Sequence, residues 1–283
     1  MFGFLNVYKP KGMTSHDVVS FMRKAAGIKQ IGHTGTLDPF AEGVLPVCIG
    51  KATRLIEYLD DDKEYLATVQ FGSNTDTYDL EGNVTETFDK KAEKNDIIEG
   101  LKKFEGEIFQ MPPAYSAIKV NGKKLYEYAR KGQKVEIQPR KVFIEQIELK
   151  NFDEEQQTAV IRVKCSKGTY IRSIAFDLGK ELGCGGHLIK LIRTRAGKFS
   201  IENAAALEDI AQNPADFLIN PLDVICLDTV HITEEDLVKL QNGNPIVNKT
   251  NKSNDFVILI YNNVIRAVGF RTDDKILMKK VFN

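Results

Sequence analysis

The chain has 283 residues, of which 42% are hydrophobic and 28% are charged, and its 39 basic residues balance its 39 acidic ones. This composition is typical of a globular protein with one large or two ordinary domains, and it excludes the disordered and fibrous classes. The net charge of zero also removes the simplest argument for a nucleic-acid partner, because the total contains no basic excess.

Helical and strand patterns alternate irregularly along the first 200 residues. A first helix is predicted from Ser15, as its N-cap, to about Ala26, and a second one over residues 95–104, entered through Asn95. Residues 168–179 begin as a glycine turn and become helical. Strand patterns cover residues 65–71, 142–149 and 159–165. This order predicts an α+β fold rather than a doubly wound parallel sheet.

The pattern changes after Pro214 and Pro221 to short strands. Two apolar runs, residues 255–261 and 264–270, flank an Asn-Asn pair, which is a hairpin signal. We therefore expect a small, mostly β appendage from about residue 227 to residue 283.

The cysteines and the apolar runs indicate in which cellular compartment the protein is expected. The four cysteines form no Cys-x-x-Cys pair and have no histidine at ligand spacing, so we expect reduced thiols and no metal site. The clearest apolar run, residues 256–261, is too short to span a membrane, and no signal-peptide pattern precedes the first helix. These observations predict a soluble cytoplasmic protein, and the lack of heptads predicts a monomer.

Glycine and proline are concentrated in residues 32–54, which contain four glycines and two prolines. Such a segment turns repeatedly and does not form a long regular element. Asp38 precedes Pro39, whose ring restricts Asp38 to extended conformations. A phosphate loop is excluded, because Gly43 and Gly50 are separated by six residues and Lys51 is followed by Ala52. Taken alone, the Asp-Pro pair is equally typical of a simple turn.

Five motifs in this order resemble those of the TruB family of tRNA pseudouridine synthases. They are Lys9-Pro-Lys-Gly-Met-Thr-Ser15, Gly32-His-Thr-Gly-Thr-Leu-Asp-Pro39 with Gly43-Val-Leu-Pro-Val-Cys-Ile-Gly-Lys-Ala-Thr53, Tyr65, Met111-Pro-Pro-Ala-Tyr-Ser-Ala-Ile-Lys119 with Leu125-Tyr126, and Gly168-Thr-Tyr-Ile-Arg172. The resemblance covers nearly the whole chain.

This resemblance implies a fold and a reaction. The fold is a catalytic domain over residues 1–226, with a mixed, largely antiparallel central sheet, followed by a PUA-like RNA-binding β domain over residues 227–283. The reaction isomerises uridine 55 in the T-arm of tRNA to pseudouridine. It requires no cofactor, and the partner is the tRNA, with no protein partner required.

The resemblance also implies catalytic roles for three residues. Asp38 is the essential carboxylate, acting as a nucleophile or as a base, and carboxylates can form covalent intermediates. Arg172 supplies the cation that such a carboxylate needs when water is excluded. Tyr65 stacks on the uracil and lies near C5, although a phenol with a pKa of about 10 is a poor base unless it is activated.

Further residues are expected to contact the RNA. His33 contacts the RNA from which the base is extruded, and Leu191 forms an apolar wall of the uracil pocket. The remaining candidates are Lys9, Thr34, Gly35, Tyr115, Lys119 and Tyr170.

The charge is unevenly distributed along the chain. Residues 60–110 contain six basic and 14 acidic side chains, a net charge of −8, whereas residues 111–145 carry +5 and residues 162–198 carry +7. Basic and aromatic side chains suit phosphate contacts and base stacking. Residues 111–145 resemble the family's thumb-like element that closes over the T-arm, and both basic blocks are expected to border one RNA-binding cleft.

Two alternatives stay open at this point. A non-catalytic RNA-binding protein or tRNA folding chaperone could use the same cleft, although it would not need Asp38, Tyr65 and Arg172 together. A guide-RNA-dependent relative of the archaeal and eukaryotic type is the other alternative, but the chain has no long lysine-rich tail and its motifs are closer to the bacterial stand-alone type.

Overall fold

A mixed sheet of ten strands forms the framework of the larger domain. The structure is a computed structural model, which describes residues 1–120, 122–133 and 135–282. In chain order, the described strands are β1 (Gly3–Lys9), β2 (Ile31–His33), β3 (Glu42–Ile49), β4 (Lys63–Phe71), β5 (Ser73–Thr75), β6 (Val84–Thr87), β7 (Gly106–Gln110), β8 (Lys119–Val120), β9 (Lys123–Lys124), β10 (Arg140–Asp153), β11 (Thr158–Cys165), β12 (Gly186–Ala196), β13 (Phe199–Ser200), β14 (Ala205–Ala206), β15 (Asp228–His231), β16 (Ile246–Val247), β17 (Asp255–Tyr261), β18 (Val264–Arg271) and β19 (Lys275–Val281).

The main path of this sheet runs β14-β1-β3-β12-β4-β11-β10-β7, with β2 on β3 and β13 on β12. Only the β1–β14 and β3–β12 pairs are parallel among its described strands. The predicted α+β fold with a mixed, largely antiparallel sheet is therefore confirmed.

Helices pack on the sheet, and two short 3₁₀ segments follow strands. The helices in the described chain are α1 (Ser15–Ala26), α2 (Lys94–Lys102), α3 (Leu125–Ala129), α4 (Ile171–Leu182), α5 (Leu207–Gln212), α6 (Pro221–Val224) and α7 (Glu234–Gln241), and the 3₁₀ segments are Gly50–Tyr58 and Ile201–Asn203. None of the described helices is long and apolar enough to cross a membrane.

The predicted starts of the first two helices were wrong by one or two residues, whereas the glycine turn that leads into α4 is as predicted. Thr14, not Ser15, is the N-cap of α1, because the Thr14 hydroxyl accepts from the Asp17 amide in a reciprocal capping box. Glu93 rather than Asn95 precedes α2 as its cap residue, without a side-chain cap bond. α4 begins only at Ile171, because residues 168–170 are used for the turn.

The larger domain buries apolar side chains on both sides of its central strands. One cluster lies between strands β4, β10 and β11 and helices α2 and α4, and includes Tyr65 and Leu191. A second lies between β1, β3 and helices α1 and α5. These clusters hold the middle of the sheet rigid, which is where the strands carrying the candidate site residues meet.

Residues from 228 onward form a five-stranded sheet in the order β15-β17-β18-β19-β16, a small PUA-like β domain as expected. Asn262 and Asn263 both adopt positive φ, 51° and 58°, which is the backbone of a tight hairpin turn. Tyr261 pairs with Val264 across this turn, so the predicted hairpin is confirmed.

Candidate active site

Asp38 lies in the loop between β2 and β3, and Ser15 anchors this loop to the start of α1. The Ser15 hydroxyl accepts from the Leu37 amide at 2.8 Å and donates to the Leu37 carbonyl at 3.0 Å. The Asp38 carbonyl accepts from the Ala41 amide at 3.1 Å, which closes the turn after Pro39. The serine expected to cap α1 therefore holds the residue next to the candidate catalytic carboxylate.

Lys9 fastens the same loop from the other side. Its side chain is completely buried, and its ammonium donates to the carbonyls of Pro10 at 2.9 Å, Met13 at 2.6 Å and Pro39 at 3.4 Å. Burial lowers the pKa of Lys9 to about 8, although Asp38 opposes this fall. The expected direct contact of Lys9 with RNA is not available in this structure, because its three donor hydrogens already face carbonyl oxygens.

Arg172, in the first turn of α4, forms a two-pronged ion pair with Asp38. Its Nε lies 2.9 Å from Asp38 Oδ2, and its Nη2 lies 3.2 Å from Asp38 Oδ1. Nη2 also donates to the Tyr115 carbonyl at 2.9 Å. Arg172 is only 5% exposed, so this charge pair is shielded from water on its arginine side. The sequence-based pairing of these two residues agrees with this geometry.

A second carboxylate, that of Asp79, also pairs with the Arg172 guanidinium. Its Oδ2 lies 3.3 Å from Arg172 Nη1, and Asp79 is 3% exposed. Thr77 Oγ1 and the Glu81 amide donate to Asp79 Oδ1 at 2.6 and 3.0 Å, which fixes the carboxylate. Sequence reasoning missed Asp79 because it was counted only within the acidic block of residues 60–110.

The Asp38 side chain is partly buried, with 31% of it exposed to solvent. Burial raises its pKa, the Arg172 guanidinium opposes that rise, and Asp79 adds to it, so that the pKa lies above the ordinary aspartate value. A carboxylate that is exposed on one face and ion-paired on the other can contact a bound molecule while it stays paired with its cation.

Tyr65 and Leu191 belong to the buried cluster against which the Asp38 loop packs. Tyr65 is 7% exposed and Leu191 is 4% exposed, and both belong to the cluster that contains Leu37 and Phe40 on the Asp38 loop. Burial raises the pKa of the Tyr65 phenol, while the charge of Arg193 opposes that rise. The structure thus brings Asp38, Arg172, Tyr65 and Leu191 together.

The loop residues before Asp38 are partly buried. His33 is half-buried, burial lowers its pKa, and its Nδ1 has no hydrogen-bond partner among the described residues. The Thr34 amide donates to the Pro46 carbonyl at 3.1 Å, and the Gly35 carbonyl accepts from Arg193 at 3.2 Å. His33, Thr34 and Gly35 therefore lie on one continuous loop with Asp38.

The other candidate RNA contacts lie on the segment between β7 and β10 and at the start of α4. Tyr115 is half-buried and binds Arg172 only through its carbonyl. Tyr170 is tied to Gln110 by two hydrogen bonds of its backbone, at 2.7 and 2.9 Å. Lys119 is exposed on the β8–β9 hairpin, outside the buried cluster.

Comparison with known proteins agrees with this arrangement. A family model described as TruB family pseudouridylate synthase (N terminal domain) matches residues 23–171, which contain Asp38, Tyr65 and Asp79. A second model, described as tRNA pseudouridylate synthase B C-terminal domain, matches residues 172–225, beginning at Arg172. The chain belongs to the TruB family of pseudouridylate synthases.

Relatives in this family match over full length. The tRNA pseudouridine synthase B of Caldanaerobacter subterraneus subsp. tengcongensis is 46% identical over 290 residues, covering 99% of each chain. That of Clostridium kluyveri is 42% identical over 291 residues, covering 100% of each chain. Among solved structures, the crystal structure of a Cbf5-Nop10-Gar1 complex matches with a TM-score of 0.73 and 28% identity, covering 100% of this chain and 85% of that chain.

Proposed function

We propose that this chain, a tRNA pseudouridine synthase of the TruB family, isomerises uridine 55 in the T-arm of tRNA and acts without a protein partner. The observation that carries the proposal is the Asp38 carboxylate, whose side chain is 31% exposed, held by Arg172 on a loop that packs against the buried cluster of Tyr65 and Leu191. A flat, uncharged base is proposed to bind here with its ribose facing the carboxylate.

The reaction conserves all atoms of the uridine. The bond from C1′ to N1 breaks, the uracil rotates, a bond from C1′ to C5 forms, and the C5 proton is replaced by a proton on N1. Three routes share the requirement for an ionised Asp38: attack at C1′, attack at C6, and removal of a proton from C2′. Arg172 favours the ionised carboxylate before these steps, because its guanidinium stays charged at any working pH and opposes the rise in the pKa of Asp38 that burial causes.

The base must leave the folded RNA before it can enter the pocket. Extrusion costs a few kcal/mol, roughly the cost of unstacking and unpairing one nucleotide. The loop of His33, Thr34 and Gly35 leads to the carboxylate and is proposed to contact the opened RNA. Tyr65 is proposed to stack on the uracil, since it belongs to the same buried cluster as Leu191. It is then proposed to release its own proton toward N1 of the rotated uracil and, as a phenolate, to accept the C5 proton, with the charge of Arg193 opposing the rise in its pKa.

Tritium release from C5-labelled uridine in a T-arm transcript tests the proposal. The wild type is expected to release tritium, and Asp38→Ala is expected to bind the same RNA with unchanged affinity but to release none. Asp273→Ala, which removes an exposed carboxylate in the β domain, is the matched control and should release tritium at the wild-type rate. Turnover by Asp38→Ala at the wild-type rate would sink the catalytic assignment.

The chaperone alternative predicts a different result in the same assay. A tRNA-binding chaperone would bind and refold the transcript but release no tritium in the wild type. The Asp38–Arg172–Asp79 chain favours the enzyme, because burying the Arg172 guanidinium and the Asp79 carboxylate is costly and RNA binding alone does not require it.

A further inference from the structure

Arg193 is a fully buried arginine that no step described so far uses. It lies in β12 at the centre of the sheet and is 1% exposed. On one side it pairs in parallel with Gly43, and on the other it pairs in antiparallel with Tyr65. Gly43 has a φ of +106°, and a Cβ there would lie 2.4 Å from the Arg193 carbonyl, so only glycine permits this approach.

The guanidinium of Arg193 binds backbone carbonyls on both sides of Asp38 in the chain. Nε donates to the Val44 carbonyl at 2.7 Å, Nη1 to the Thr36 carbonyl at 3.3 Å and Nη2 to the Gly35 carbonyl at 3.2 Å. One rigid planar group therefore spans the entry and the exit of the catalytic loop, which a lysine ammonium could not reproduce with the same geometry.

No carboxylate of the described residues forms an ion pair with Arg193, in contrast to Arg172. Its charge instead faces titratable neighbours from three elements: Lys9 on β1, His33 on β2, and Lys63 and Tyr65 on β4. Burying a charge without a counter-charge destabilises a fold. The Arg193 guanidinium between the loop and the phenol therefore has a role other than ion pairing.

We propose that Arg193 is a positioning residue that holds the Asp38 loop and the Tyr65 side chain in one arrangement, so that the phenol is aligned with C5 when the rotated uracil loses its proton. The proposal rests on the proposed function. Its support is the pairing of Arg193 with Tyr65 in neighbouring strands together with three hydrogen bonds to the loop. The positive charge of Arg193 beside the phenol also favours the phenolate that must be present before the C5 proton is accepted, because it opposes the rise in the pKa of Tyr65 that burial causes.

The rate of turnover with C5-deuterated RNA tests this role. Arg193→Lys keeps the charge but loses the planar fork, and we expect kcat to fall about 100-fold, the size of effect that small misplacements of reacting groups produce, with KM changed only a few-fold. The ratio of rates for protiated and deuterated RNA should rise above its wild-type value, as it should in Tyr65→Phe, because C5 deprotonation becomes slower. Arg23→Lys, which also replaces a guanidinium bound to a carbonyl but lies on α1, is the control and should change neither quantity.

Two results distinguish failure of the positioning role of Arg193 from failure of the proposed function. An Arg193→Lys enzyme whose isotope ratio equals that of the wild type, and whose kcat falls only with its folded fraction measured by circular dichroism, would overturn the positioning role. Wild-type protein without turnover on the T-arm would instead overturn the proposed function. Arg193→Lys decides the matter even if part of the protein does not fold, because its isotope ratio is measured on the folded fraction alone.

Discussion

Asp38 has a carboxyl group whose two faces differ in environment. Burial raises its pKa, and the charges of Arg172 and Lys9 partly oppose that rise. Since the proposed reaction requires the ionised form, activity should disappear on acidification at a higher pH than an ordinary aspartate, whose pKa is about 3.9, would allow. The acid limb of kcat/KM, measured over the pH range in which the RNA stays folded, reports this group in the free enzyme.

Lys9 provides a test of the same electrostatics. Its ammonium is buried near Asp38, so Lys9→Met should move the acid limb to still higher pH, because removal of a cation favours the neutral carboxyl. Lys11→Met is the control, since Lys11 is exposed and its charge is screened by water. An acid limb that stays in place in Lys9→Met would show that Lys9 does not act on the carboxylate.

The segment between β7 and β10 connects two paired strands at one end of the large sheet. Gln110 and Arg140 pair directly at its base, so the intervening residues project from two neighbouring strands. Its β8–β9 hairpin presents Lys119, Lys123 and Lys124 to solvent. The thumb-like role of residues 111–145 stays a prediction, and we propose that the exposed lysines of the hairpin contact RNA phosphates.

Replacing the three hairpin lysines by glutamine should weaken RNA binding and reduce its salt dependence. Each phosphate contact that is lost should reduce the slope of log K against log salt concentration by about 0.7 to 0.9. The measurement is a binding titration of a T-arm transcript at several salt concentrations. The control carries the same change at the exposed Lys91, Lys94 and Lys102, on and next to α2. Equal slopes in the two triple variants would remove the hairpin from the RNA interface.

At the scale of the whole molecule, the small β domain shares a hydrophobic core with the larger one. Ile258, Ile260 and Phe282 pack in one cluster with Phe4 and Leu55 of the larger domain. Phe282 is 5% exposed, its ring lies 5.6 Å from that of Phe2, and the Arg54 guanidinium lies 5.3 Å from its centroid. The appendage predicted from the sequence is therefore also a structural support of the catalytic domain.

Phe282→Ala should destabilise both domains together. We expect the free energy of unfolding to fall by about 3 to 5 kcal/mol, the usual cost of truncating a buried phenylalanine, in one transition seen by all probes. Leu277→Ala, at an exposed position on β19, should change it by less than about 0.5 kcal/mol. Chemical denaturation followed by circular dichroism and tyrosine fluorescence makes the measurement. Two separate transitions would contradict a shared core.

Much of the fold and part of the candidate site could be predicted from residue order. The alternation of apolar residues marked strands such as β4 and β11, because side-chain periodicity is a local property. The resemblance of the motifs around Asp38 and Arg172 to those of the TruB family implied that these residues, 134 positions apart, are partners, and the structure contains an ion pair between them. Helix starts were less predictable, because Thr14 and Ser15 are both good caps and only the position of Leu37 assigns Ser15 elsewhere.

What residue order could not reveal were contacts made by residues with no motif of their own. Asp79 became the second partner of Arg172 only through the turn that follows β5, and Arg193 faces Asp38's loop only because β12 lies between β3 and β4. The buried role of Lys9 depends on three carbonyls that the loops bring together. Local patterns determine elements and motifs because neighbouring residues interact along the chain, whereas strand order determines which charges are buried side by side.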